Sequence, residues 1–354
     1  MPFRFFQRIR IAPGLRLNLS KGGFSLSAGP RGAQFTVGTS GTRATAGLPG
    51  TGLHYTVLNP HRKLNGDGGG GVSANGDSVP RPIKPVKLPK LGWLQRLTMS
   101  VDSKQFIEGW QAWGRGDIQA AIKHFREVSP STPAGADAAW SAAILHTQRE
   151  ENEQAIGLLQ RALKAPTALG QTFKQHEFTP RVQVPVTPEV VATMLPNAHS
   201  AYLLLAEVQQ SVDDHAAALR TLSQVLPKKA GEQIDPVMLA AFGELALESE
   251  SVDAMHRFNM LSAELGNDTP LHTVVMYYRA QALVEQGLHS SALAVLTPAL
   301  RRKKNRNPSL LREIRFLRAN VYEALGKKAQ ARKDRERIYA EDPSFEGIRQ
   351  ALGI

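Results

Sequence analysis

His176 and Glu177 open the pattern of a zinc helix, in which a second histidine four residues on completes the ligand pair and the glutamate serves as base. Pro180 stands in that fourth place, so the pair and the helix that should carry it both fail. The remaining histidines of the ten are dispersed, and no Ser, His and Asp set or pair of carboxylates has a spacing that would bring an acid or nucleophile to its base. With no cysteine in the chain, thiol catalysis, disulfides and thiolate metal sites are excluded. The glycine-rich stretch 21–56 could cradle a phosphate on its backbone N–H groups. It contains neither GxxxxGKS/T nor a GxGxxG placed between a strand and a helix. Its nine-residue period suggests a calcium β-roll, yet no Asp or Glu occurs before Asp67, and calcium requires oxygen ligands of that kind. Leu48–Gly52, LPGTG, fits a sorting signal but lacks the apolar span and basic tail that must follow it, and reads as a turn. No reaction, metal or cofactor is expected.

The elements behind these residues fall into two kinds. From Lys21 to Thr56 four nine-residue units follow one another, KGGFSLSAG, PRGAQFTVG, TSGTRATAG and LPGTGLHYT, with glycine third in each. Phe24, Leu26 and Ala28, then Ala33, Phe35 and Val37, alternate with Ser25, Ser27, Gln34 and Thr36. Alternation of period two between glycine turns predicts a small antiparallel β-meander with one apolar face, within a module at 1–58. Such a sheet needs a cover, either the aromatic start (Phe3, Phe5, Phe6) or a partner.

Charge is concentrated at this end. Residues 1–96 hold 14 of the 43 Lys and Arg and only two of the 31 Asp and Glu, so the net charge of +12 belongs to the front and the rest is neutral. Arg8, Arg10, Arg16, Lys21, Arg31 and Arg43 are candidates for contacting a polyanion, either nucleic acid or an anionic surface. The same residues would also keep a glycine-rich sheet soluble. No apolar stretch reaches the length of a membrane span, and the arginine-broken start does not read as a signal peptide; a cytoplasmic protein is expected.

Residues 59–92 are a linker, Gly68 to Gly71 followed by Pro80, Pro82, Pro85 and Pro89. From 93 to 350 the pattern turns helical and repeats. Ala121, Ala155, Ala218, Met255, Ala292 and Ala331 anchor six units, and twelve residues before each stands Gly109, Ala143, Ala206, Gly243, Ala280 or Ala319. Small residues there let two helices approach closely. Phe125, Leu159, Leu222 and Leu296 follow four residues after their anchors, then Val128, Ala162, Val225, Ala299 and Ile338, one buried stripe per second helix. Gly116, Asp213, Gly287 and Gly326 fall where the first helices should stop. Met255 with Asn259, and Arg335 in the last unit, break the pattern.

These spacings resemble the tetratricopeptide repeat, with units starting near Asp102, Ala136, His199, Pro236, Thr273 and Arg312. The resemblance implies an α-solenoid of about six helix pairs, a non-enzymatic adaptor or scaffold whose groove holds a protein or peptide partner. It implies further that Phe106, Trp110, Trp140, Tyr277, Phe316 and Asn320 lie on groove-facing places of first helices. Packing of Phe106, Trp110 and Trp113 against Trp93 and Leu94 as an N-terminal cap is the alternative. The segment FRFFQRIRIAPGLRLNLSKGG with GTRATAGLPGTGL is similar to a glycine-rich bacterial β-domain of unknown function. An insertion of 29 residues beyond the 34-residue step, at about 170–198, contains Pro180, Pro185 and Pro188 with alternating Val182, Val184 and Val186. It is expected to be extended and either to cover or border the groove or to form a plain surface excursion. The basic run Arg301–Arg306 reads as a solvated loop. A second class of function is nucleic-acid or anionic-surface binding by the front module, with the solenoid as regulator.

Overall fold

The computed structural model describes residues 99–354, except 179, 181, 188–189, 230–231, 233 and 305, and only the backbone over 7–12, 15–20, 23–28, 33–38, 41–47, 54–59, 182–187 and 190–194. The side chains and turns of the front module, the linker beyond 59 and the Trp93 cap lie outside the described residues. Those described are mainly helical, a solenoid of tetratricopeptide-repeat type with fourteen helices, twelve of them in six helix–turn–helix pairs. The pairs are α1 (Val101–Gly114) with α2 (Ile118–Glu127), α3 (Pro133–Gln148) with α4 (Asn152–Ala162), and, after a short α5 (Gln171–Gln175), α6 (Ala198–Ser211) with α7 (His215–Ser223). Then come α8 (Pro236–Glu248) with α9 (Val252–Leu261), α10 (Pro270–Glu285) with α11 (His289–Ala299), and α12 (Pro308–Ala324) with α13 (Lys328–Glu341). A last short helix, α14, spans Ile348–Leu352. The described helices divide into two compact units, 99–264 and 265–354.

Every pair turns by the same device. The residue at 116, 150, 213, 250, 287 or 326 has a left-handed backbone, with φ between 51° and 83°. The next N–H reaches back to the carbonyl five residues earlier, as in Asp117 to Ala112 at 2.9 Å and Lys327 to Tyr322 at 2.8 Å. This Schellman closure satisfies carbonyls that a helix end would otherwise leave bare. Glycine takes the strained place in three turns, while Glu150, Asp213 and Glu250 adopt it despite a Cβ. All six anchors lie five residues beyond it, so the repeat register holds even at Met255. Four first helices begin with proline at their first positions (Pro133, Pro236, Pro270, Pro308), where the missing N–H has no helical partner to lose.

The small residues act at the expected helix crossings. A Cβ on Gly109 would stand 2.5 Å from the Phe125 ring, and one on Gly243 would collide with the ring of Phe258. In the fourth pair the ring therefore comes from Phe258, one residue before Asn259, and this restores the buried stripe that Asn259 interrupts. Helix α7 ends two residues before Val225, and Leu226 takes the buried place instead. In the sixth pair ion pairs replace apolar contacts. Arg318 binds Asp334 through two 2.7 Å bonds, Arg315 binds Glu341 at 2.9 Å, and Arg335 pairs with Glu323, joining α12 to α13.

Candidate functional site

Helix α3 has the sequence PAGADAAWSAAILHTQ, and residues 134–146 are all buried. A helix apolar on every side must be covered on every side. Besides its neighbours α2 and α4, it is covered by the insertion: the turn Pro166–Ala168 and α5 lie against it. From α5 and just beyond, Phe173 and Phe178 enter a cluster with Phe106 and Trp110 of α1. Phe173 sits edge-on to Phe106 at 5.0 Å, to Trp110 at 5.5 Å, to Trp140 at 6.0 Å and to Phe178 at 5.2 Å. Trp113 stacks on Trp110 at 4.5 Å, and the Trp110 Nε1–H donates to Ser141 Oγ at 3.2 Å. The insertion then continues as two strands, β1 (Val182–Thr187) and β2 (Val190–Met194), whose backbones pair antiparallel, with β1 beside α8.

One buried charge fastens the insertion. Asp137 is fully buried, and its carboxylate accepts the Gly170 N–H at 2.6 Å and the Thr172 N–H at 2.9 Å, at the start of α5. Burial pushes the Asp137 carboxyl up to about 6, against the opposing pull of those hydrogen bonds. Gly170 reaches the position through a left-handed backbone, with φ 88°, close under the carbonyl of Pro196.

The expected groove residues divide in two. Phe106, Trp110 and Trp140 are buried, so they are core residues in this structure and offer no surface to a partner. The reason is that Phe173 and Phe178 cover the faces of α1 and α3 on which they lie. Tyr277 on α10 and Phe316 on α12 are half-buried, and Asn320 is exposed. The Phe316 ring lies 5.4 Å from that of Phe345, and Asn320 Oδ1 accepts from Arg335 Nη2 at 3.3 Å. The side chains of Arg8, Arg10, Arg16, Lys21, Arg31 and Arg43 lie outside what the structure describes. The basic run 301–306 is only partly a solvated loop. Arg306 is buried, its Nε–H donating to Thr273 Oγ1 at 2.6 Å and its Nη2 to the Asn267 carbonyl at 3.2 Å, and burial lowers its guanidinium pKa. Among the described residues no group of three potential ligands could hold a metal, and no helix is long and apolar enough to cross a membrane.

Sequence reasoning missed Asp137, Phe173 and Phe178. Asp137 did leave a signal, since a single acid within an unbroken run of Ala, Gly, Ser and apolar residues must be buried and must find donors. Phe173 and Phe178 left none, because an aromatic residue in an irregular segment has no periodicity to give its direction.

The architecture is that of a helical-repeat protein built from helix–turn–helix units. Residues 108–168 and 277–344 match the tetratricopeptide-repeat family, and the chain carries tetratricopeptide repeats; residues 3–56 match a family described as a protein of unknown function (DUF4236). Solved structures similar to this chain include the N-terminal domain of the EccA1 ATPase of the ESX-1 secretion system of Mycobacterium tuberculosis. That likeness has 14% identity over 72% of this chain and 88% of that one, with a TM-score of 0.45. YrrB, described as a tetratricopeptide-repeat protein with an unusual peptide-binding site, has 14% identity over 67% and 98%, with a TM-score of 0.43. No curated protein matches the sequence.

Proposed function

We propose that this chain is a non-enzymatic adaptor whose helical repeats bind a protein or peptide partner, and that the unit 265–354 carries the contact. The supporting observation is that Tyr277 and Phe316 stand partly exposed on α10 and α12, the first helices of that unit, which touch each other. Aromatic rings held on rigid helices, apolar but not buried, are the residues from which peptide recognition draws most of its energy. In the other unit the corresponding aromatic residues are consumed by the insertion. Truncating both Tyr277 and Phe316 to Ala in the full chain should remove the partners that co-purify with the unaltered protein, while the thermal transition remains. Identical partners at undiminished yield would overturn the assignment.

The finer domain reading belongs to the same proposal: a β-meander module at 1–58, a linker at 59–92 and the helical region at 93–350. The front module is supported by the match over 3–56 and by the alternation of its nine-residue units. In this reading the insertion at about 170–198 fills the groove of the first two repeats.

A further inference from the structure

Away from the aromatic cluster, the unit 99–264 has an open cleft of about 400 Å³ between α2 and α4, lined by Arg126, His146, Gln154, Gly157, Leu158 and Arg161. Three observations meet there. His146 is 3% exposed, its Nδ1 is 2.5 Å from Glu151 Oε2, and its Nε2 is buried with no hydrogen-bond partner. The Glu151 contact orients the ring, with Nδ1–H donating and Nε2 left to the cleft. Arg161 Nε is likewise buried without a partner, and among the described residues no carboxylate pairs with Arg161 or Arg126. The Glu151 carboxylate is taken by His146 and by Arg149 Nε at 2.7 Å.

The third observation is Gly157. A glycine inside a helix costs about 1 kcal/mol relative to alanine, and here no close packing requires it, since nothing lies within 4 Å of where its Cβ would be. What its missing side chain does is open the face of α4 between Gln154 and Arg161. A buried polar nitrogen without a partner is rare and costs free energy. Two guanidiniums with no carboxylate partner line the same cleft and make it cationic. We propose that this cleft binds an oxyanion, a carboxylate or phosphoryl group, on the guanidiniums of Arg126 and Arg161, with the His146 ring lining the cleft beside them. Arginine's planar fork suits either group. The site is independent of the aromatic face on α10 and α12.

The test uses the full chain with 15N-labelled histidine, observing the imidazole resonances while inorganic phosphate or N-acetylglutamate is added, with sodium chloride at matched ionic strength as control. A saturable shift of the His146 Nε2 signal with either anion, and none with chloride, is expected; the anion that saturates first identifies the source. Arg126→Gln with Arg161→Gln should weaken binding at least about tenfold, as the loss of a charged hydrogen bond implies. Gly157→Leu fills the cleft with a better helix former and should also weaken binding without lowering the thermal midpoint. No saturable shift with either anion, or the same shift in both variants, would overturn the proposal and leave the cleft as a place for water.

Discussion

Replacing Phe173 with Ala tests whether the insertion is structural core or surface excursion. The ring is 1% exposed and contacts four other aromatic rings between 5.0 and 6.0 Å. Burial of a phenylalanine side chain, about 150–200 Å² at 25 cal/mol per Å², contributes about 4–5 kcal/mol. The measured range for such truncations in packed cores, about 3–5 kcal/mol, includes the cavity left behind. The cavity should persist here, because Phe106, Trp110 and Trp140 are fixed on α1 and α3 and only α5 can follow the missing ring. In urea, with a slope of about 2 kcal/mol per molar, the loss moves the midpoint by roughly 2 M. A chain of two compact units need not unfold in one step, so the signal should be local. Trp110, Trp113 and Trp140 supply it, and Trp93→Phe removes the fourth tryptophan, which would otherwise add a background. The expected result is a red-shifted emission and a lower midpoint in the Phe173→Ala protein. A midpoint within about 0.5 M of the unaltered chain, with unchanged emission, would refute the claim that the insertion completes the core.

Asp137 gives a pH signature. Its carboxyl lies above its ordinary value of 3.8, at about 6, so the folded chain holds this proton more tightly than the unfolded chain. The resulting stability is fully present below about pH 4 and is lost as pH rises through 6, a change of up to about 3 kcal/mol. Asp137→Asn should flatten that part of the stability profile between about pH 4 and 6.5, and equal slopes in both proteins would discount the buried carboxylate. Gly243→Ala should destabilise by about 1–3 kcal/mol, since the added methyl meets Phe258 in a filled core. Phe258→Leu in the same chain should recover part of the loss, and simple additivity in urea titrations would show that the two sites do not touch.

The repeat register was legible because it is local. A small residue, a helix stop seven residues later and a second small residue five beyond that are fixed by the geometry of one helix pair; five of the six pairs obey it in full, and the fourth departs only in carrying Met255 at the second place. The break at Asn259 was visible as a fault but not as its repair. The ring comes instead from Phe258, three rather than four residues after the anchor, a substitution of place that no spacing rule records. The direction of the aromatic residues was not legible. Phe106, Trp110 and Trp140 occupy places where an uncovered repeat would present them to a partner, and whether they do so depends on what a segment some thirty to seventy residues away brings to that face. Pro180, Pro185 and Pro188 marked that segment as irregular but not as core.

Asp137 joins these two kinds of information. An acid in the middle of an apolar helix is destabilising until two N–H groups are delivered to it, and the chain delivers them from Gly170 and Thr172 at the start of α5. The fit depends on the left-handed Gly170 beneath Pro196, so the path of the insertion is specified at one point by backbone and charge, and only then completed by Phe173 and Phe178. The burial that makes the aromatic cluster stable also isolates the carboxylate from water, so the two contributions are coupled. Loosening the rings hydrates Asp137, returns its carboxyl toward the ordinary range and weakens the latch's hold on α5. Phe173→Ala and Asp137→Asn should therefore be non-additive, whereas substitutions of Tyr277 or Phe316 in the other unit should be additive with both.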